Sequence, residues 1–354
     1  MKQGGMLFFI FVAVLSAVCV WGNTEEPKGL FPVIQNGKVG FMNRNGQLVV
    51  KSQFDGVGDF SEGLAAVELD GKVGFIDETG QIAIKPKFEN ARKFSEGLAP
   101  VGVATATYFL SHRLSWGYID KTGKIVIKPQ FDGDYAMGEG AREFSEGLAP
   151  VKIAGDKGGD IWGYVDKTGN RVIKFQFQEA GGFSEGLARI RISDDYITRH
   201  GYINKMGALV ISPQFSEALD FSEGLAMVAV PTSAYKAGYI DKTGKIAIET
   251  RFDKARSFSE GLAGVMLAEK WGYIDKTGTF IIQPQFSAVG DFAEGLAGVQ
   301  IGGKWGFVDK AGQVVIQPQF DYAWDFRFGL AGIQVGEKKG YIDRMGKYVW
   351  DPSM

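Results

Sequence analysis

The sequence predicts an all-β chain, a tandem array of nine three-stranded antiparallel meanders stacked as an open, solenoid-like body, with a β-propeller as the alternative. Three observations predict it. First, the pattern aromatic-Gly-aromatic-aliphatic-Asp/Asn-x-x-Gly recurs nine times, its first glycine falling at Gly40, Gly74, Gly117, Gly163, Gly201, Gly238, Gly272, Gly306 and Gly340. The intervals of 34, 43, 46, 38, 37, 34, 34 and 34 residues mark a basic period of 34 with insertions in the middle copies. Second, Phe-Ser-Glu-Gly-Leu-Ala begins at Phe60, Phe94, Phe144, Phe183, Phe221 and Phe258, with variants at Phe292 and Phe326, and Gly29-Leu30 is its truncated first copy. Third, 50 glycines and 11 prolines among 354 residues call for many turns, while 45% hydrophobic residues suffice for a large core.

Each element of a unit follows from residue pattern, with 63–94 as the example. Leu64 to Leu69 places Ala65, Val67 and Leu69 on one face, as a half-buried strand does. Asp70-Gly71 supplies the two positive-φ positions of a tight hairpin. Lys72 to Asp77 returns as a second strand, and Asp77-Glu78-Thr79-Gly80 makes the next turn, Asp suiting its first position and Gly its last. Ile82 and Ile84 share a face of a third strand, which is expected to stop at Pro86 because proline donates nothing to a ladder. The link Phe88-x-x-Ala91-x-x-Phe94 has counterparts from Phe54/Phe60 to Phe320/Phe326 and reads as an aromatic plug between neighbouring units. Nine units of three strands leave none over to complete a blade shared between the two ends, which favours the open array over closure.

The N-terminus stands outside the array. An apolar run from Met6 to Gly22 after Lys2 reads as an export signal, 1–22, with cleavage before Asn23. Residues 23–28 form a short linker, and 29–354 the nine repeats. Leu15-Ser16-Ala17-Val18-Cys19 loosely follows a lipobox, in which Cys19 would carry lipid, and an uncleaved anchor is a further reading. Cys19 is the chain's one cysteine, so the repeats hold neither disulfides nor thiolate metal sites.

The motifs Trp271-Gly272-Tyr273-Ile274-Asp275-Lys276-Thr277-Gly278 and Trp305-Gly306-Phe307-Val308-Asp309-Lys310 resemble the bacterial WG-repeat, or KWG-repeat, family. The resemblance covers essentially everything after the linker. It implies a β-rich repeat protein of the bacterial envelope or surface and brings no general activity, ligand or functional residue with it.

Little catalytic chemistry is visible. A balance of 39 Lys+Arg against 41 Asp+Glu gives no basic field for nucleic acid. His112 and His200 are the two histidines, and the repeat does not relate them. The aspartates at Asp77, Asp120, Asp166, Asp241, Asp275, Asp309 and Asp343 are explained by their turns and lack the oxygen spacing of a calcium loop. Lys121, Lys167, Lys205, Lys242, Lys276 and Lys310 fill one turn site, and Glu62, Glu96, Glu146, Glu185, Glu223, Glu260 and Glu294 another. Both ladders read as solvated turn residues, with a basic stripe for an anionic polymer as the competing reading. No cofactor or metal is expected, and no enzyme activity.

Two surfaces compete for binding. The repeat tryptophan slot holds Trp116, Trp162, Trp271 and Trp305, but Val39, Val73, His200, Ala237 and Lys339 elsewhere. A slot that accepts His, Ala and Lys reads as half-exposed, so the four rings are candidates for stacking on sugars. Units three to six replace the tight first hairpin, Asn36-Gly37 or Asp70-Gly71 in short units, with Thr105 to Ser115, Ala154 to Ile161, Ser193 to Arg199 and Pro231 to Lys236. A further insertion, Gly133 to Gly140, lies in the plug of the third unit. The hairpins project from one edge and carry Tyr108, Phe109, Tyr196 and Tyr235. The expected function is a non-enzymatic exported scaffold, periplasmic, surface-bound or secreted, that binds an envelope or extracellular protein through these loops. Carbohydrate binding through the tryptophans is the alternative, and membrane contact is limited to the N-terminal segment.

Overall fold

The computed structural model describes residues 29–104, 113–134, 140–155, 159–194, 197–231 and 236–351. The export segment, the linker and Cys19 lie outside them. The described chain forms nine small antiparallel sheets in sequence order, which we number as blades 1 to 9.

Blade 2 shows the plan. A two-residue strand β4 (Gly56–Val57) pairs with β5 (Leu64–Leu69), which pairs with β6 (Lys72–Asp77), which pairs with β7 (Ile82–Phe88). The expected hairpin is present, with Asp70 at φ 51° and Gly71 at φ 71°. So is the second turn, where the Asp77 carboxylate accepts the Thr79 and Gln81 amides.

The strand count needs correction: seven sheets have four strands, because the plug contributes a short inner strand. Blade 4 keeps this strand only as the Ala141–Val151 bridge. Blade 1, made of β1 (Leu30–Gln35), β2 (Lys38–Asn43) and β3 (Leu48–Phe54), has none among the described residues. In six of the seven sheets the inner strand is two residues, too few to alternate, so no period marked it; only blade 5 extends it, to Glu179–Ser184.

Proline does not end the third strand either. β7 runs through Pro86 to Phe88, and the register against β6 jumps from Ile84 opposite Phe75 to Phe88 opposite Val73. The four-residue step on one side against two on the other is a bulge, and proline sits in it without owing a ladder bond. The bulge presses on the repeat glycine: a Cβ on Gly74 would lie 2.4 Å from the Ile84 carbonyl oxygen and 2.5 Å from the Pro86 nitrogen. Any larger residue there would push the two strands apart.

The open array is likewise corrected. Every second-turn glycine packs on the third strand of the preceding blade, as Gly80 does on Val50 and Gly346 on Ile316. Gly46 of blade 1 makes the same approach to Val349 of blade 9. Phe31, Val33 and Met42 share a core with Leu330, Tyr341, Val349 and Trp350, and the Tyr341 hydroxyl donates to the Pro32 carbonyl at 3.0 Å. The first and last sheets are therefore neighbours, and the sheets read as a nine-bladed propeller. No shared blade is needed when the two ends meet through side chains.

The strand directions sort the loops. All first hairpins, and the third-strand-to-plug junctions, lie on one face of the ring; the second turns and the Phe-Ser-Glu-Gly-Leu turns lie on the other.

Candidate functional site

The aromatic plugs form the inner packing of the ring. The phenylalanine ending each plug meets the second-strand aromatic of the preceding blade edge-on or tilted, from Phe41–Phe60 to Phe307–Phe326, with centroids 4.8–5.1 Å apart. Eight junctions have this pair. At the ninth, from blade 9 to blade 1, Tyr341 meets Phe31 of β1 instead, at 5.4 Å.

The two charged ladders belong to one device. Ser61-Glu62-Gly63-Leu64 is itself a two-residue hairpin, with Glu62 at φ 53° and Gly63 at φ 85°. That turn turns the glutamate toward the next blade, where its carboxylate accepts the Gly97 amide at 3.1 Å and meets Lys121 at 3.1 Å. The same carboxylate-to-amide bond recurs at Glu96, Glu146, Glu185, Glu223, Glu260 and Glu294. Lysines 167, 205, 242, 276 and 310 complete it at 2.9–3.1 Å, and Arg344 donates to the Glu294 carbonyl. Ser61, Ser95, Ser145, Ser184, Ser222 and Ser259 add a bond to the next blade's phenylalanine carbonyl. Partial burial raises the carboxyls of Glu62, Glu146, Glu223 and Glu260, but the lysine and the glycine amide outweigh it and hold them below the usual range. These residues are structural latches between blades. The sequence carried a signal for this, two ladders of opposite charge in equal register, which reading each turn alone missed.

The tryptophan slot is mostly core. Trp116 is fully buried beneath Gly102, Gly133 and Gly140, and its Nε1 has no hydrogen-bond partner among the described residues. Trp162 is buried under the Arg142 guanidinium at 4.7 Å, and Trp305 is buried against Tyr322 at 5.4 Å. Trp271 is half-buried and lines a cavity of ≈520 Å³ with Ala237, Arg256 and Asp291. The expectation of half-exposed rings thus fails for Trp116, Trp162 and Trp305. The substitutions that suggested exposure have local accommodations: Lys339 is exposed and lies over Trp324, and Ala237 faces the smaller cavity. His200 is half-buried beside Arg189, and burial together with that guanidinium pushes it down to about 4, so it is neutral at pH 7.

Tyr108, Phe109, Tyr196 and Tyr235 lie outside the described residues. Their hairpin stems are described: the strands on either side extend to Ala104 and from Arg113 in blade 3, and to Asp194 and from Ile197 in blade 5. The described stems of all four hairpins, and the end of the third strand at Gly133, lie at the face opposite the latches.

Sequence reasoning missed a cavity of ≈840 Å³ at the seam where blade 9 meets blades 1 and 2. It runs along β1 from Leu30 to Ile34, and its walls include Phe60, Phe328, Tyr341 and Trp350. Arg327 of blade 9 spans it to Asp59 of blade 2 at 2.8 Å, passing blade 1. Burial, and secondarily the Asp59 charge, raises the Tyr341 phenol, which stays a neutral donor.

With the repeated units in place, comparison with known proteins is direct. The WG containing repeat matches residues 40–72, 74–103, 116–157, 162–196, 201–230, 238–271, 271–305 and 305–338. The chain belongs to the WG-repeat family. No curated protein matches it. Among solved structures it is similar to the uncharacterized protein lmo1340 of Listeria monocytogenes (12% identity, TM-score 0.41, covering 71% of this chain and 89% of that one). It is also similar to apo AztD of Citrobacter koseri (12%, 0.42, 82% and 92%) and to a prolyl endopeptidase (11%, 0.43, 72% and 49%). At such identities nothing of those proteins' activities transfers to this WG-repeat chain.

Proposed function

We propose that this WG-repeat protein is an exported, non-enzymatic scaffold that binds an envelope or extracellular protein through the hairpin face of blades 3 to 6. One observation carries the reading. The two faces of the ring are used differently: the glutamate latch recurs at all seven boundaries from blade 2 to blade 9, whereas the first hairpin is short in blades 1, 2, 7, 8 and 9 and extended in four consecutive blades. A contiguous arc of lengthened loops on a rigid frame is the arrangement that recognition surfaces take. Export rests on the apolar run 6–22, and the non-enzymatic part on the use of the repeated glutamates and lysines as latches and the packing of His200 beside Arg189. The alternative, sugar stacking on the repeat tryptophans, loses support from the burial of three of the four rings.

The test is capture from envelope extract with the native protein beside a form whose four long hairpins are cut to Asn-Gly turns. A protein held by the first and lost from the second is the expected result; equal capture by both would end the reading.

A further inference from the structure

Two side chains keep a fixed habit at the regular junctions. Tyr118, Tyr164, Tyr202, Tyr239 and Tyr273 each donate to a plug carbonyl of the next blade, at Arg142, Gly181, Leu219, Arg256 and Gly290. The six serines before the latch glutamates donate to the phenylalanine carbonyl that ends the next plug, as Ser222 does to Phe258 at 2.7 Å. At the seam both habits break. Tyr341 donates to Pro32, a first-strand carbonyl, and Arg327 stands in the serine place. Gly29 holds the place of Gly63, so the residues these two side chains would meet in blade 1, counted back from it, are Thr24 and Glu26. A third change lies at Phe31. The other eight blades have alanine there, and its ring meets Tyr341 where a plug phenylalanine packs elsewhere. A strand entering blade 1 therefore needs no aromatic residue, and 23–28 contains none.

We propose that the chain's own residues 23–28 seat in the seam cavity as the inner strand of blade 1, a strap that binds blade 9 through a Glu26–Arg327 ion pair. In the strapped ring the Tyr341 hydroxyl passes from the Pro32 carbonyl to that of Thr24. Pro32 then accepts the Thr24 amide, as Pro100 and Pro150 accept the amides of Arg92 and Arg142. Charge fits, because the segment carries Glu25 and Glu26 while Arg327 and Lys339 line the cavity. Length fits as well: the cavity runs along β1, whose six residues span about 20 Å at about 3.3 Å each, and the strap has six residues. Arg327 pairs with Asp59 of blade 2 between side chains 52% and 63% exposed, a contact that solvent weakens, and a carboxylate inside the junction is the better acceptor. The strap is independent of the hairpin face. It meets the export reading at one point: cleavage before Asn23 leaves it whole at the head of the mature chain, and trimming to Gly29 removes it.

The probe is trypsin, which cuts after Lys28, applied to the full chain under native conditions with the cut read by mass. A seated strap hides this bond, so cleavage in the native chain should be at least about tenfold slower than in Arg327→Glu. Glu26→Arg should speed it equally, and it adds no trypsin site because Pro27 follows. Reversing both charges together should restore the slow rate, an outcome that loosening of the seam alone does not produce. Asp59→Asn should leave the rate as in the native chain, which separates the strap from the pair that Arg327 makes with blade 2. Export is read apart from this, by the mass of the secreted chain, so that reading and the strap can fail separately. The proposal is overturned if the native chain is cut after Lys28 as fast as Arg327→Glu, or if the double reversal is cut no more slowly than either single change.

Discussion

The junctions from blade 2 to blade 9 and the junction from blade 9 to blade 1 solve the same packing problem with different parts. In the first set an edge-on aromatic pair, a latch glutamate held by an amide and a cation, and in six cases a serine bond cross each boundary. At the seam Phe328 stands where the glutamate would be and Arg327 where the serine would be, and a cavity lies along β1 among the described residues. Repetition makes the regular junctions alike in strength; the seam holds through apolar contact between Phe31, Leu330 and Tyr341 and one exposed ion pair. Exposed pairs are worth about 0–1 kcal/mol, so among the described residues the seam lacks the polar clasp that the seven latched junctions share.

The largest way to break this contrast is at the rings. Phe258→Ala, at a regular junction where the side chain is fully buried, should cost about 3–5 kcal/mol, and Phe328→Ala, half-buried at the seam, about 1–2 kcal/mol, both read by urea denaturation. Equal costs would remove the distinction between the two kinds of junction.

A smaller effect is expected at the latch. Glu223→Ala leaves the Gly261 amide and Lys276 without their acceptor and should cost about 1–2 kcal/mol. The sign with pH follows from the lowered carboxyl. The latch contribution is fully present above the ordinary glutamate range near 4.5 and is lost as pH falls through the lower folded value. The native protein should therefore lose stability more steeply below pH 4.5 than Glu223→Ala, and parallel curves would refute the latch.

The smallest effect sharpens the comparison from the other side. Blade 8 has Ala293 where blades 2 to 7 have serine. Ala293→Ser should restore the bond to the Phe326 carbonyl and add about 0.5–1 kcal/mol, measured as a rise in the denaturation midpoint.

Much of this was legible in the sequence. The period, both turns, the first hairpin and the plug phenylalanines follow from local rules in which a residue type meets a backbone need, as with Asp70-Gly71 or the Asp77 turn. What was not legible depends on neighbours. Ring closure follows from the angle between adjacent blades, which no single unit writes down. The inner strand is two residues long in six of the seven sheets that have it, and Pro86, where a strand was expected to stop, lies in a bulge beside Gly74. The burial of Trp116 is set by three glycines from different segments, so the tolerance of the slot in other blades said nothing of it. The seam cavity was invisible because it is shaped by how the first and last sheets meet, which no single unit writes down.

The latch glutamates carry a last consequence. Each of blades 3 to 8 holds a donor half and a receiving half of the same contact, the glutamate for the blade that follows and the Gly amide with its lysine for the blade before. Any of these six therefore fits between any two others, and duplication of one such stretch inserts a blade with both connections already made. Heredity can change the size of such a wheel one spoke at a time, and the rim, not the spokes, sets where the count must stop.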